Sequence, residues 1–168
     1  RSAGHPLRLV TNTTSRSRAV LARQLRDQGF EVEPDEILNP MVAAARWLRS
    51  QGREPAALFV PDAAREDFDG IDTADRDVRA VVLGDLRDDW TYARMNEILR
   101  RMLDDPDCAL VALGRTRYWK DEGGWALDVG PFAAAFEMAA DRQAVVTGKP
   151  AADFFHQGCR EIERDPAD

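Results

Sequence analysis

Short apolar runs of strand length alternate with segments of helical periodicity, and this alternation constrains the fold more than any other feature. Strand-like runs occur at 7–10, 57–60, 78–83, 108–113 and 144–146. Helical patterns lie between and after them, at 15–28, 34–48, 91–103, 131–140 and 151–162. Strands that alternate with helices are joined by crossovers and favour a parallel sheet. The sequence therefore predicts an α/β fold.

Charge and hydropathy narrow the partners that such a chain can have. The 168 residues carry a formal net charge of −7, which argues against nucleic acid and anionic membranes because both attract an excess of Lys and Arg. No apolar window reaches the roughly 18 residues that a membrane-spanning helix needs. Cys108 and Cys159 fall in apolar or helical patterns, which predicts reduced thiols and favours a cytoplasmic location.

Two polar segments lie directly after predicted strands and before predicted helices, where ligands bind in open α/β sheets. The first begins with Thr11 and Asn12, and the N-terminus of the next helix would supply N–H donors for a phosphate. The second holds Lys149 between Gly148 and Pro150, and an ammonium group commonly binds phosphate oxygens. Each segment alone also fits a plainer interpretation, in which the first caps a helix and the lysine is a solvated surface residue.

Together and in this order, the two segments resemble motifs of a known enzyme family. Segment 9–18, LVTNTTSRSR, resembles the second motif of the class IIA (NagD-like) phosphatases of the haloacid dehalogenase (HAD) superfamily. Segment 145–150, VVTGKP, resembles their third motif. The material between is similar to one branch of that class, the phospholysine phosphohistidine inorganic pyrophosphate phosphatases and their relatives, at 65–73, 117–120 and 128–132. The resemblance extends over nearly the whole chain.

The resemblance implies a partial Rossmann-like HAD core with an α/β cap inserted between the second and third motifs. Residues 1–33 and 129–168 would form the core, and residues 34–128 would form the cap. The cap contains a predicted hairpin around Lys120–Gly124 whose basic and aromatic side chains either face the active-site mouth or are simply solvated. The candidate cap contacts with substrate are Arg115, Arg117, Tyr118 and Lys120.

The same resemblance assigns roles to the residues of the two motifs. Thr11 and Asn12 would bind the transferring phosphoryl group through hydroxyl and main-chain N–H donors. Lys149 would be the catalytic lysine, which holds the phosphate in register and offsets charge in the transition state. The family's first motif, with its Asp nucleophile, would lie before Arg1, and its acidic fourth motif would lie after Asp168. We therefore expect no Mg²⁺ ligands in this chain, although the intact family member uses Mg²⁺.

The expected function is that of a fragment of a Mg²⁺-dependent hydrolase. The intact enzyme would cleave small phosphate esters, phosphoramidates or pyrophosphate through an aspartyl-phosphate, with a homodimer as a candidate assembly, and the chain alone would be inactive. The first residues also resemble a helix end, with Gly4 as C-cap, which predicts that the chain begins within a fold. The alternative is a non-catalytic α/β binding or oligomerisation module.

Overall fold

The computed structural model describes residues 6–165. The expected helix end at Gly4 lies outside the described residues. Eight strands are present, β1 Leu9–Val10, β2 Ile37–Leu38, β3 Ala56–Phe59, β4 Ala80–Leu83, β5 Ala109–Ala112, β6 Tyr118–Asp121, β7 Gly124–Leu127 and β8 Val145–Val146. Five α-helices accompany them, α1 Arg18–Asp27, α2 Pro40–Ser50, α3 Tyr92–Asp104, α4 Val129–Ala140 and α5 Ala152–Glu161. Short 3-10 segments cover Pro34–Glu36, Asp62–Phe68 and Arg87–Asp89.

The larger sheet has four parallel strands in the order β3-β4-β5-β8. Its strands are short apolar runs, and helices cover both faces, as a buried parallel sheet requires. On one face Met41 and Leu48 of α2 pack against Val82 and Leu113. On the other face α3 and α4 pack against the alternate side chains of the same strands. The predicted α/β fold with a parallel sheet is confirmed.

A second, smaller sheet consists of β1 and β2, which pair in parallel with Leu9 opposite Ile37. Helix α1 covers one side, and α5 covers the other by packing Phe154 against Leu38. Glu161 near the end of α5 forms ion pairs with Arg8, just before β1, and with Arg46 of α2. The beginning and the end of the described chain are therefore packed together.

Strands β6 and β7 form a separate antiparallel hairpin, with Tyr118 opposite Leu127 and Lys120 opposite Trp125. This pairing agrees with the hairpin predicted around residues 120–124. One face of the hairpin is exposed. On the other face the Arg87 guanidinium stacks over Trp119 at 3.9 Å from the ring centroid.

Two structural details differ from the sequence-based expectations. Residues 34–38 were predicted to be helical, but only Pro34–Glu36 forms a single 3-10 turn and Ile37 already belongs to β2. Ile37 and Leu38 form a strand because they pair with β1, which is distant in the sequence. A local helical pattern of five residues is too weak to prevent this pairing. Strand β8, which the predicted boundaries place in the core, pairs with β5 of the predicted cap. The division at 34–128 stays a prediction.

Candidate functional site

The side chain of Asn12 joins the two segments that were singled out from the sequence. Its Nδ2 donates to the main-chain carbonyl of Lys149 at 3.0 Å, and its Oδ1 accepts from the main-chain N–H of Lys149 at 2.8 Å. The carboxamide thus matches the donor and acceptor of one residue, as a neighbouring strand would. The end of β1 and the turn after β8 are held together although they belong to different sheets.

The loop after β1 is organised around the hydroxyl of Thr11. The main-chain N–H of Thr11 donates to the carbonyl of Leu38 at 3.1 Å, which extends the pairing of β1 with β2. The Thr11 Oγ1 accepts from the N–H of Thr13 at 3.1 Å and lies 2.8 Å from the Thr13 hydroxyl. These bonds form a local turn of the kind that Ser and Thr side chains favour. They fix the Thr11 hydroxyl in the loop that also carries Asn12.

The turn after β8 fits tightly against its neighbours at Gly148. A Cβ atom added at Gly148 would lie 2.4 Å from the Leu113 carbonyl oxygen, 3.0 Å from Pro40 Cγ and 3.1 Å from Asn12 Oδ1. Thr147 is buried, and its hydroxyl donates to the carbonyl of Pro40 at 3.2 Å. The close approach of these neighbours requires glycine at this position. The backbone conformation does not require it, since the φ angle of Gly148 is not positive.

Lys149 is half-buried at this junction. Within residues 6–165, no carboxylate lies within ion-pair distance of its ammonium group. A lysine without a protein counter-ion, next to a fixed main-chain turn, can bind an anionic ligand. We refer to Thr11, Asn12, Gly148 and Lys149 as the Asn12–Lys149 junction.

The N-terminus of α1 makes hydrogen bonds with side chains of the chain itself. The helix begins at Arg18, and Ser17 caps it by accepting from the N–H of Val20. The N–H of Arg18 donates to the carboxylate of Asp67 at 2.9 Å, and the hydroxyl of Ser17 donates to Glu66 at 2.6 Å. The first N–H donor of α1 is therefore bound by a carboxylate of the same chain, and the binding of phosphate by Thr11 and Asn12 stays a prediction.

The four side chains predicted to contact substrate interact with each other or with neighbouring elements of the chain. Arg115 donates to Glu137 Oε1 at 2.6 Å, and the same oxygen accepts from the N–H of Ala144 at 2.8 Å. The side chains of the hairpin interact mainly with one another, with Arg117 over Tyr118 at 5.6 Å and Lys120 over Trp125 at 5.8 Å. The structure does not bring these four side chains into hydrogen-bond contact with Asn12.

Comparisons with known proteins show which family the chain resembles. Residues 1–74 match the family model described as haloacid dehalogenase-like hydrolase. The human phospholysine phosphohistidine inorganic pyrophosphate phosphatase is 36% identical over 156 residues, which are 93% of this chain and 57% of that protein. Haloacid dehalogenase-like hydrolase domain-containing protein 2 of Rattus norvegicus is 37% identical over 166 residues, 99% of this chain and 62% of that protein.

The chain belongs to the haloacid dehalogenase-like hydrolase family. It spans about three fifths of the length of these curated relatives. The p-nitrophenyl phosphatase from Archaeoglobus fulgidus is 26% identical and superposes with a TM-score of 0.86, covering 95% of this chain and 62% of that one. NagD from E. coli K-12 shares the fold, with a TM-score of 0.83 and 19% identity over 97% of this chain and 64% of that one.

In this member of the haloacid dehalogenase-like family, two polar residues at the carboxyl edge of the larger sheet were missed by the sequence analysis. Asp85 follows β4 and pairs with Arg87 at 3.0 Å, and Asp128 caps α4 by accepting from the N–H of Val129 at 2.7 Å. Burial raises the pKa of Asp128, and its own hydrogen bond to Val129 opposes the rise. The position of Asp85 directly after a strand was the signal that could have identified it.

Neither a grouped set of metal ligands nor a membrane-spanning helix is present in the part of the chain that the structure describes. Within residues 6–165, no three His, Cys, Asp or Glu side chains are grouped so that they could hold a metal ion. None of the described helices is both long enough and apolar enough to cross a bilayer. The residues that the structure describes therefore do not fit a Mg²⁺ site by themselves.

Proposed function

We propose that this chain supplies the phosphate-binding part of a phosphohydrolase that cleaves small phosphorylated substrates. The observation that carries the proposal is the pair of hydrogen bonds between the Asn12 carboxamide and the main chain of Lys149. These bonds join the two segments that resemble the second and third motifs of the family, and they fix the main chain from which the lysine extends.

The junction supports a division of labour among its residues. Each polar atom of the Asn12 side chain makes one hydrogen bond that holds Lys149, and the second N–H of Nδ2, like the main chain of Asn12, can still contact a phosphate. The hydroxyl of Thr11 stands beside it as a second polar contact. Lys149 supplies a positive charge that stabilises the negative charge of the phosphoryl group in the transition state. The lysine is the catalytic residue in this proposal, and Asn12 positions it.

The remaining chemistry is proposed for residues outside these 168. The family resemblance implies an Asp nucleophile that forms an aspartyl-phosphate, and acidic ligands for Mg²⁺, before and after the present sequence. No step of the proposal is routed through a metal held by this chain. The name of the human relative points to phosphoramidates and inorganic pyrophosphate, and that of the p-nitrophenyl phosphatase from Archaeoglobus fulgidus points to phosphate esters. The two free cysteines suit a cytoplasmic protein.

The cap residues have a secondary role in the proposal. Lys120 and Tyr118 lie on the exposed face of the hairpin and are free to contact the part of a substrate away from its phosphate. Arg115 is held by Glu137 and is better suited to fix the loop that leads into the hairpin. We propose that residues 34–128 form the cap, as the resemblance implies. Strand β8 of the core segment adds to the sheet of this cap by pairing with β5.

A second candidate function, an oligomerisation module, is favoured by one observation. Tyr118, Trp125 and Leu127 are exposed on one face of the hairpin, with Trp125 73% exposed. An exposed aromatic and aliphatic face of this kind suits association with a second copy. The two candidates are compatible, because a homodimer formed through the hairpin leaves the Asn12–Lys149 junction intact.

Titration of the 168-residue chain with inorganic phosphate, followed by amide NMR, tests the proposal. We expect shifts at Gly148 and Lys149, and at least about tenfold weaker binding at that site after Lys149→Ala, because the only free cation of the junction is lost. Lys120→Ala is the matched control and is expected to leave this binding within about twofold. Equal binding by the parent and Lys149→Ala would contradict the proposal.

In a longer protein that supplies the nucleophile, the same substitution should act on the chemical step. Lys149→Ala is expected to lower kcat by about 10²–10³-fold. Lys149→Arg should restore little of this activity, since a planar guanidinium does not replace a point charge. Lys120→Ala should change mainly KM. A kcat within threefold of the parent after Lys149→Ala would remove the lysine from the mechanism.

A further inference from the structure

Three arginines converge on one cavity at the edge of the larger sheet. Arg65 comes from the 3-10 segment after β3, and Arg94 and Arg101 come from α3. The cavity has a volume of about 270 Å³, and its floor is formed by Leu58 and Phe59 of the edge strand β3. It shares no lining residue with the Asn12–Lys149 junction. Such a concentration of guanidinium groups is unexpected in a chain with a net charge of −7.

The arginines are held in place by contacts that leave N–H groups available. Arg94 and Arg101 lie seven residues apart on one face of α3, and their guanidinium carbons lie 5.9 and 5.0 Å from the ring centroid of Phe59. The ring of Phe59 is only 4% exposed, so it is a fixed support. Stacking on a ring uses the face of a guanidinium and leaves its edge to bind an oxyanion.

Arg65 reaches the cavity from a different element, the 3-10 segment Asp62–Phe68. Its Nη2 donates to the carbonyl of Leu58 at 3.2 Å, and its Nε donates to Asp62 at 3.1 Å. The Asp62 side chain is 99% exposed, so this ion pair contributes little energy. The main-chain hydrogen bond instead anchors the guanidinium at the edge of β3. Cations from two separate elements therefore face the same space.

The carboxylates near the arginines are mostly exposed and hold them weakly. Among the described residues, Asp75 and Glu97 line the cavity with the three arginines, and Asp62 pairs with Arg65 from outside the lining. Glu97 is shared between Arg94 and Arg101. Asp75 lies 3.8 Å from Arg101, and its side chain is 98% exposed, so an incoming anion can displace it at little cost.

We propose that this cavity binds a small phosphate-type oxyanion. Arginine forks match the oxygens of a phosphate group and form charge-assisted hydrogen bonds with it. The volume of about 270 Å³ lies just below the range of roughly 300–1,000 Å³ that is usual for sites of drug-sized ligands. It accommodates a phosphate group with few additional atoms. The ligand is either free phosphate or the phosphate group of a small metabolite.

Amide NMR of the 168-residue chain at low ionic strength tests this site, because screening weakens exposed ion pairs. With inorganic phosphate we expect saturable chemical-shift changes at the amides of Thr73 and Ala74, which line the cavity. The expected Kd is about 1 mM or tighter. A second titration with glycerol 3-phosphate separates the sources. Shifts with both ligands indicate a site for a phosphate group, and shifts with inorganic phosphate alone indicate a site for the free ion.

Three substitutions distinguish a binding site from a solvated charge network. Arg94→Gln is expected to weaken phosphate binding at Thr73 and Ala74 by at least about fivefold. Arg100→Gln removes the same charge from the same helix outside the cavity and is expected to change binding less than twofold. Glu97→Gln removes a competing carboxylate and is expected to tighten binding.

Absence of shifts at Thr73 and Ala74 in the parent would overturn the proposal. Equal weakening by Arg94→Gln and Arg100→Gln would overturn it too, since it would show a general effect of charge. Circular dichroism of each variant confirms that the fold is retained. Failure here leaves the Asn12–Lys149 junction untouched, because shifts at Gly148 and Lys149 are read in the same spectra.

Discussion

The buried carboxylate of Asp67 accepts several hydrogen bonds that no pattern in the sequence indicates. Its side chain is 4% exposed. It accepts hydrogen bonds from the N–H of Arg18 at 2.9 Å, from the Arg18 Nε at 3.2 Å and from Asn39 Nδ2 at 2.6 Å. Asn39 is itself fully buried and caps α2 through the N–H of Val42. One carboxylate thus fixes the beginnings of two helices.

Removal of that carboxylate should be costly. Asp67→Ala leaves the buried amide of Asn39 and the N–H of Arg18 without their acceptor, which is expected to lower the free energy of unfolding by about 2–3 kcal/mol. Urea denaturation monitored by circular dichroism measures the change. Asp69→Ala, at an exposed position two residues later, is the control and is expected to cost less than about 0.5 kcal/mol. A similar small effect of both substitutions would show that Asp67 is not a structural centre.

At the scale of elements, the turn between β8 and α5 is fitted between three neighbours. It touches the end of β5 through the Leu113 carbonyl, the start of α2 through Pro40 and the loop after β1 through Asn12. The main-chain N–H of Thr147 donates to the carbonyl of Ala112 and continues the sheet up to the turn. The position of Lys149 therefore depends on the packing of this turn as well as on its own bonds.

Gly148→Ala should disturb the whole turn. The added methyl group would meet a carbonyl oxygen at 2.4 Å, so we expect a loss of at least about 2 kcal/mol of stability. Phosphate binding at the junction should be lost with it. Gly123→Ala provides a matched control, because its Cβ would meet only Asp121 Oδ1 at 3.3 Å in the exposed hairpin turn. A thermal scan that shows equal melting temperatures for the two variants would contradict the close packing.

The elements that the sequence predicted well are those whose pattern is local. The amphipathic helix α3 and the hairpin β6–β7 follow from periodicity and turn residues. Strand β2 was missed, because two residues carry no pattern and only their pairing with β1 makes them a strand. The carboxylate of Asp67 at the start of α1 was missed for the same reason, since 49 residues separate it from Arg18.

The candidate site follows the same division. The side chain of Asn12 and the position of Lys149 after a strand were visible in the sequence, and the resemblance between their motifs brought them together. The sequence did not show that the Asn12 side chain forms two hydrogen bonds with the main chain of Lys149. It also did not show that β8 extends the larger sheet. Both facts depend on residues more than thirty positions apart.

For the whole molecule, the proposed division of chemistry predicts the activity of the isolated chain. We expect the purified 168-residue protein with Mg²⁺ to hydrolyse p-nitrophenyl phosphate no faster than buffer, because the described residues contain neither the expected nucleophile site nor grouped metal ligands. A colorimetric assay across the fractions of a size-exclusion column measures this. Mg²⁺-dependent turnover that coincides with the protein peak, and that disappears in Lys149→Ala, would place the nucleophile within this chain.

The contact between Asn12 and Lys149 spans 137 positions of the chain. The entropy of closing a loop grows only with the logarithm of its length, and each doubling costs about 0.6 kcal/mol. Most of the intervening residues form the larger sheet and its helices, which carry their own apolar core. Insertions or deletions in the surface loops of that region therefore change the cost of closure very little. The junction can tolerate a lengthening or shortening of the structure between its two halves while Asn12 and Lys149 keep their pairing.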